Sequence, residues 1–253
     1  MKVVIIGSGN VATVMGSRIA VAGHELLQVV ARREAAAAAL AAEWGCGYTT
    51  RWEAVDPGAD IYIVSISDRA LVDLPGVLSL PGRLVVHTAG AAPLAALEKV
   101  SPRHGVLYPL QSLRKEIRPF PEFPLLIDAR HPEDETAIDA FARTIARQVQ
   151  HADDALRIKL HVAATFANNF TNYLYTLAAD FCQQEQIDFH LLLPIIAETA
   201  QRMQQYPPRE VQTGPAIRDD RQTMERHLDI LSNYHNMSVL YRQFSDQIRE
   251  YYG

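Results

Sequence analysis

Gly7-Ser8-Gly9-Asn10-Val11-Ala12 follows directly on an apolar run, Val3 to Ile6, at the start of the chain. So short a run reads as a parallel strand that is covered on both faces. The G-x-G-x-x-A behind it allows a tight turn and sets backbone N–H groups against a pyrophosphate. A helix over residues 10–22 aims its positive end at the same phosphates. The pattern is informative because it lies between a strand and an apolar-periodic helix. All six residues, Gly7 to Ala12, are therefore candidates for binding a dinucleotide.

The second strand, residues 24–31, ends beside the ribose of such a cofactor. An NAD site places Asp or Glu there to accept from the ribose hydroxyls. This chain has Ala31-Arg32-Arg33 instead. Two guanidinium groups suit a 2′-phosphate, which a carboxylate would repel. Positive charge at a helix start also opposes the helix dipole, which favours a functional role for it. The expected cofactor is NADP (NADPH), with Arg32 and Arg33 on the extra phosphate.

Ligands of an open parallel sheet gather beyond the carboxyl ends of its strands. Three polar clusters fall there: Ser65-Ile66-Ser67-Asp68, His87-Thr88-Ala89-Gly90 and Tyr108-Pro109-Leu110-Gln111-Ser112. Ser65, Ser67, Asp68, His87, Thr88 and Gly90 are expected beside the cofactor, and Gln111 beside the substrate. A fourth cluster lies on a later helix, where His161, Thr165, Asn168, Asn169 and Asn172 share one face of an α-helix. Asparagine is a mediocre helix former, so the stripe asks for a reason: a ligand cavity or interhelical hydrogen bonds.

A histidine, with an ordinary pKa of about 6.5, can act as a general acid. His161 is the candidate proton donor, with Thr165 and Asn169 orienting the substrate and Asn172 extending the lining. His87 is a second candidate acid. In the segment Thr213-Gly214-Pro215-Ala216-Ile217-Arg218-Asp219-Asp220, Arg218 is available to clamp a substrate carboxylate by a bidentate contact. Asp219 reads as the cap of the helix that follows.

The elements that carry these residues fall into two textures. Residues 1–153 alternate short apolar runs with helical stretches, the runs ending at 124–129. A helix over 133–149 and a last short strand near 148–151 complete the series. This is the pattern of an α/β fold, a Rossmann doubly wound parallel sheet. From residue 154 to 253 the periodicity is helical throughout (155–182, 190–205, 219–231 and 235–251), an all-helical C-terminal domain. The composition, 48% hydrophobic and 21% charged with net charge −5, is that of a globular protein. It offers no basic face for nucleic acid and no cationic amphipathic helix for a membrane. Cys46 and Cys182 form no C-x-x-C, so they suggest neither a metal site nor a redox pair; both read as small buried hydrophobes. No run has the length of a signal or a membrane span, and the cytoplasm is the expected compartment.

The glycine motif, His87-Thr88-Ala89-Gly90-Ala91, Tyr108-Pro109-Leu110-Gln111-Ser112, the Asn-rich helix and the stretch TGPAIRDDRQTMERHL at 213–228 together resemble a known family. This comprises the Rossmann-like oxidoreductases with a C-terminal helical domain of unknown function. They are similar in layout to pyrroline-5-carboxylate reductase, ketopantoate reductase and the 6-phosphogluconate and 3-hydroxyacid dehydrogenases. The resemblance implies an NADP-dependent oxidoreductase, and a homodimer formed through the helical half. Its substrate would be a small C=O or C=N compound bound between the two domains. The hydroxyacid and ketopantoate enzymes carry a Lys and an Asn on this helix. Their Lys falls on His161 here, with Thr165 and Asn169 following. Thr88 and Gly90 take the place of a Ser-Thr pair beside the nicotinamide, and Tyr108 stands where relatives often have His. The competing reading is a non-catalytic NADP(H)-binding sensor or interaction protein. The C-terminal helix, residues 237–252, has an aromatic and aliphatic face suited to an intersubunit surface.

Overall fold

Four β-branched residues after Lys2 form β1 (Lys2–Ile6), and all four are buried. In the computed structural model, which describes residues 1–253, their side chains alternate between two apolar layers. Val3 and Ile5 join Met15 and Ile19, while Val4 and Ile6 join Leu71 and Leu74. Branched side chains suit a pleated strand, and burial on both faces is the mark of a sheet sandwiched by helices.

The chain continues through α1 (Asn10–Val21), β2 (Glu25–Val30), α2 (Glu34–Trp44), β3 (Gly47–Thr49), β4 (Ile61–Val64), α3 (Asp68–Asp73), β5 (Leu84–His87) and β6 (His104–Pro109). It then adds β7 (Leu125–Ala129), α4 (Pro132–Ile145), β8 (Val149–His151) and α5 (Asp154–Ala164). The eight strands form one sheet in the order β3-β2-β1-β4-β5-β6-β7-β8. The order reverses direction between β1 and β4, so the ends of β1, β4 and β5 frame the crevice where such sheets take ligands.

The sheet is not wholly parallel: β7 pairs antiparallel with β6, Leu107 opposite Ile127. The segment joining them, 110–124, contains no helix. A parallel return needs a crossover element, and without one the chain doubles back. β3 is three residues long and mostly exposed, which is why no apolar run announces it. The helix expected over 133–149 ends at Ile145, with Ala146 already extended. Its start is well specified by Pro132 in the first turn and by Glu133, Asp134 and Glu135 at the positive pole.

Two compact units result, Met1–Asn169 and Phe170–Gly253. The division falls after α5, whereas the change in sequence texture falls before it. Arg157 of α5 accounts for this: its side chain is buried and donates to the carbonyl oxygen of Ala92 at 2.6 Å. Asp154 accepts from the amide of Leu94 at 2.8 Å. The helix expected over 155–182 is also interrupted. Thr165–Phe170 is a π-helical stretch, and the α-helix resumes as α6 (Thr171–Gln184).

The second unit comprises α6, α7 (Leu193–Arg202), α8 (Arg221–Ile230) and α9 (His235–Tyr252). Asp220, not Asp219, caps α8, accepting from the amide and hydroxyl of Thr223 at 3.1 and 2.7 Å. Asp219 has a φ of 48° and pairs with Arg221 and Arg249. Cys182, Ala216, Met224 and Leu231 are the unit's buried apolar side chains. No helix is long and apolar enough to cross a membrane.

Candidate active site

Gly7 leaves β1 at a φ of 130°, a conformation that side chains oppose, and a β-carbon there would collide with the carbonyl oxygen of Ser65. The loop therefore lies flat against the end of β4. Gly9 begins α1 with no side-chain cap and no acidic residue in the first turn, so the N–H groups of Asn10, Val11 and Ala12 carry the helix's open positive pole. A cavity of about 590 Å³ opens in front of them, with Gly7, Ser8 and Gly9 on one side and Arg32 and Arg33 on another. Both arginines are exposed and neither forms an ion pair within the protein. Trp52, Leu74 and Val77 complete the lining with apolar surface. Sequence reasoning missed these three, because they lie on short irregular segments after β3 and α3. A glycine cradle, an uncapped helix and two unpaired guanidiniums, all on one cavity with an apolar wall, match the parts of a phosphorylated dinucleotide.

The strand-end residues divide between that cavity and the interior. Ser65 and Ser67 line it, and the hydroxyl of Ser67 caps α3 by accepting from the amide of Ala70 at 3.4 Å. Asp68 borders a separate cavity of about 370 Å³ with Leu71, Pro93 and Lys99. Thr88 is buried and donates to the hydroxyl of Ser65 at 3.2 Å.

His87 is turned wholly inward. Its Nε2 donates to the carbonyl oxygen of Pro93 at 3.2 Å and its Nδ1 accepts from the amide of Ala89 at 3.3 Å. Burial, reinforced by the Arg157 guanidinium, lowers its pKa to about 4. With both nitrogens engaged and the ring held neutral, the His87 side chain braces the 87–93 turn instead of reaching a ligand.

His161 lies on α5, one helical turn after Arg157. Its Nδ1 is 3.1 Å from the hydroxyl oxygen of Tyr108, at the end of β6, and the two rings meet edge-on. Gly90 closes against this pair. A β-carbon there would stand 2.7 Å from both His161 Nδ1 and Tyr108 Cζ, too close to coexist with either. Burial pushes the Tyr108 pKa up, so the phenol keeps its proton. Tyr108 belongs to a polar strand-end cluster, and no local pattern announces its pairing with a residue 53 positions later.

The π-helical stretch changes the neighbours of the remaining candidates. The Thr165 hydroxyl donates to the carbonyl oxygen of His161 at 3.0 Å. Asn168 accepts from the hydroxyl of Ser112 at 3.1 Å, tying the π-helical stretch to the loop after β6. Gln111 is exposed, its side chain accepting from the amide of Ser112 at 2.9 Å. Asn169 is exposed on the π turn, with i→i+5 bonding in place of α-helical phase. The single α-helical stripe from His161 to Asn172 is therefore not realised. Asn172 and Arg218 lie in the second unit, both exposed.

Residues 2–90 match the family described as NADP oxidoreductase, coenzyme F420-dependent, and residues 123–248 match a domain of unknown function, DUF2520. A Bacteroides fragilis protein provisionally named an NADP oxidoreductase is 38% identical, each chain covered over 98% of its length, with a TM-score of 0.91. The chain belongs to this family of NADP oxidoreductases, in which a Rossmann-like domain precedes the C-terminal domain of unknown function. An imine reductase from Myxococcus stipitatus in complex with NADP+ shares the fold at 15% identity and a TM-score of 0.64, with 99% of this chain and 93% of that one covered. A 1-pyrroline-5-carboxylate reductase from Streptococcus pyogenes does so at 13% identity and the same TM-score, with 99% and 98% covered. No curated protein sequence matches the chain.

Proposed function

We propose that this NADP oxidoreductase is a reductase that uses NADPH to reduce a small C=O or C=N substrate. The observation that carries the reading is the hydrogen-bonded Tyr108–His161 pair closed against Gly90, at the same sheet edge as the glycine loop. NADPH supplies a hydride to the substrate carbon when bound. The residues fitted to hold it are the Gly7–Ala12 loop under the pyrophosphate and Arg32 and Arg33 around the 2′-phosphate. Ser65, Ser67 and the backbone of Thr88 and Gly90 would border its reactive end.

His161 gives the proton. Its Nε2 has no partner within the protein, while Nδ1 is held by Tyr108. A donor set beside the reacting heteroatom contributes roughly 10²- to 10⁴-fold to such reductions. Thr165 and Asn169 would orient the substrate, with Gln111 as a further contact.

The homodimer belongs to the same reading. Leu191, Ile195 and Tyr251 of the helical unit are 71%, 63% and 63% exposed. So much apolar side chain in the open supports a second copy as its cover.

The deciding assay follows NADPH absorbance with a panel of 2-oxo acids and cyclic imines, for wild type and His161→Ala. Turnover by wild type and its fall by roughly 10²- to 10⁴-fold in the variant, with NADPH affinity kept, is the expected result. Tight NADPH binding without oxidation of any panel compound would instead assign a sensor.

A further inference from the structure

Three features of the first unit are not explained by cofactor binding: a phenol bonded to one nitrogen of a histidine, a glycine without which the bond could not close, and a buried guanidinium one turn away. The Tyr108 hydroxyl meets His161 at Nδ1, at 3.1 Å, and leaves Nε2 without a protein partner. An imidazole held at one nitrogen and free at the other is how a side chain that transfers protons is oriented.

The helix beneath is fixed independently. Arg157 binds the carbonyl oxygen of Ala92 and the carboxylate of Asp154 at 2.6 and 2.5 Å, and Asp154 binds the amide of Leu94. These contacts clamp the turn that carries Gly90 to α5. The ring of His161 then needs only one further restraint, on its own torsions, and Tyr108 supplies it.

We propose that Tyr108 is a positioning residue for His161, its hydroxyl holding the imidazole by Nδ1 so that Nε2 faces the substrate. Nδ1 keeps its proton on both sides of the transfer, so the hydroxyl oxygen accepts from Nδ1–H whether the ring is charged or neutral. Burial keeps the phenol protonated, so its oxygen meets the ring as a neutral acceptor.

The Nε2–H bond of the imidazolium breaks and its electron pair stays on the ring. The proton bonds to the substrate oxygen or nitrogen, which holds the electron pair displaced when hydride adds to carbon. The neutral imidazole keeps its Nδ1 proton on Tyr108 and takes up another at Nε2 from water.

The inference rests on His161 as proton donor, and its test separates the two ideas. Crystal structures of the NADPH complex of wild type and Tyr108→Phe give the first arm. The expected result is a His161 ring in one orientation in wild type and rotated or split in the variant. An unchanged ring in the variant overturns the positioning role, whatever the assay finds.

The second arm is kinetic, with the panel compound that oxidises NADPH fastest. Tyr108→Phe should lower kcat by up to about 10²-fold, the cost of misplacing a reacting group, with KM and NADPH affinity kept. Added to His161→Ala it should change kcat no further, because it acts through the missing ring. An undiminished second loss in the double variant also overturns the proposal. Full activity in His161→Ala alone refutes the proton-donor reading, while the crystallographic arm still decides what Tyr108 does.

Discussion

Arg157 on α5 reaches the carbonyl oxygen of Ala92, 65 residues earlier in the chain, at 2.6 Å. With the bond from the Leu94 amide to Asp154, it joins the helix bearing His161 to the turn bearing Gly90. Replacing Arg157 with Met keeps much of the buried volume but leaves the carbonyl of Ala92 without its donor. A hydrogen bond to a charged group contributes about 1.5–3 kcal/mol, and urea denaturation should show a loss of that size. Lysine at this position should not restore the wild-type midpoint, since a single ammonium cannot replace the guanidinium fork.

Gly7 and Arg32-Arg33 act on the same nucleotide through different physics. Gly7→Ala must move the Ser65 backbone or strain its own φ of 130°, so NADPH affinity should collapse with a stability cost of about 1–3 kcal/mol. Replacing both arginines with Ser should leave the loop and the fold intact. Hydrogen bonds to charged groups contribute about 1.5–3 kcal/mol each. NADPH binding should therefore weaken by at least about tenfold while NADH binding barely changes. Equal losses for the two nucleotides would move the 2′-phosphate elsewhere.

His87 gives the fold a pH signature. Its pKa is about 4 in the native state and 6.5 when unfolded, so the unfolded chain binds the extra proton between those values. Stability from this group is complete above about pH 6.5 and is lost as pH falls toward about 4, by about 3 kcal/mol in all. His87→Gln should be less stable at pH 7.5 and should lose that part of the acid slope. Parallel stability–pH curves for wild type and variant would show that the ring is not held neutral.

The helical unit should behave as half of an interface. Light scattering on the wild type should give the mass of two chains. Ile195→Asp, placed on an exposed apolar face of α7, should shift the protein toward monomer and lower its thermal midpoint. A monomeric wild type would refute the homodimer.

Much of this molecule could be read from its residues, and the failures have identifiable causes. β1 and the glycine loop were legible because an apolar run ending in G-x-G-x-x-A has few alternative uses. The reversal of β7 was not, because strand direction depends on a connection whose lack of helix leaves no periodic signal. The Asn-rich helix was read with a uniform period, which cannot register a π turn at Thr165–Phe170. His87 looked like a candidate acid because sequence shows residue type but not burial. Tyr108 stood in a strand-end cluster without a role for the complementary reason: a tyrosine there gains meaning only from His161, brought to it by the fold.

Calorimetric titration of the pure protein with NADPH and with NADH tests the account most directly. NADPH should bind at one site per chain, and at least about tenfold more tightly than NADH. No heat with either nucleotide, or tighter binding of NADH, would contradict it.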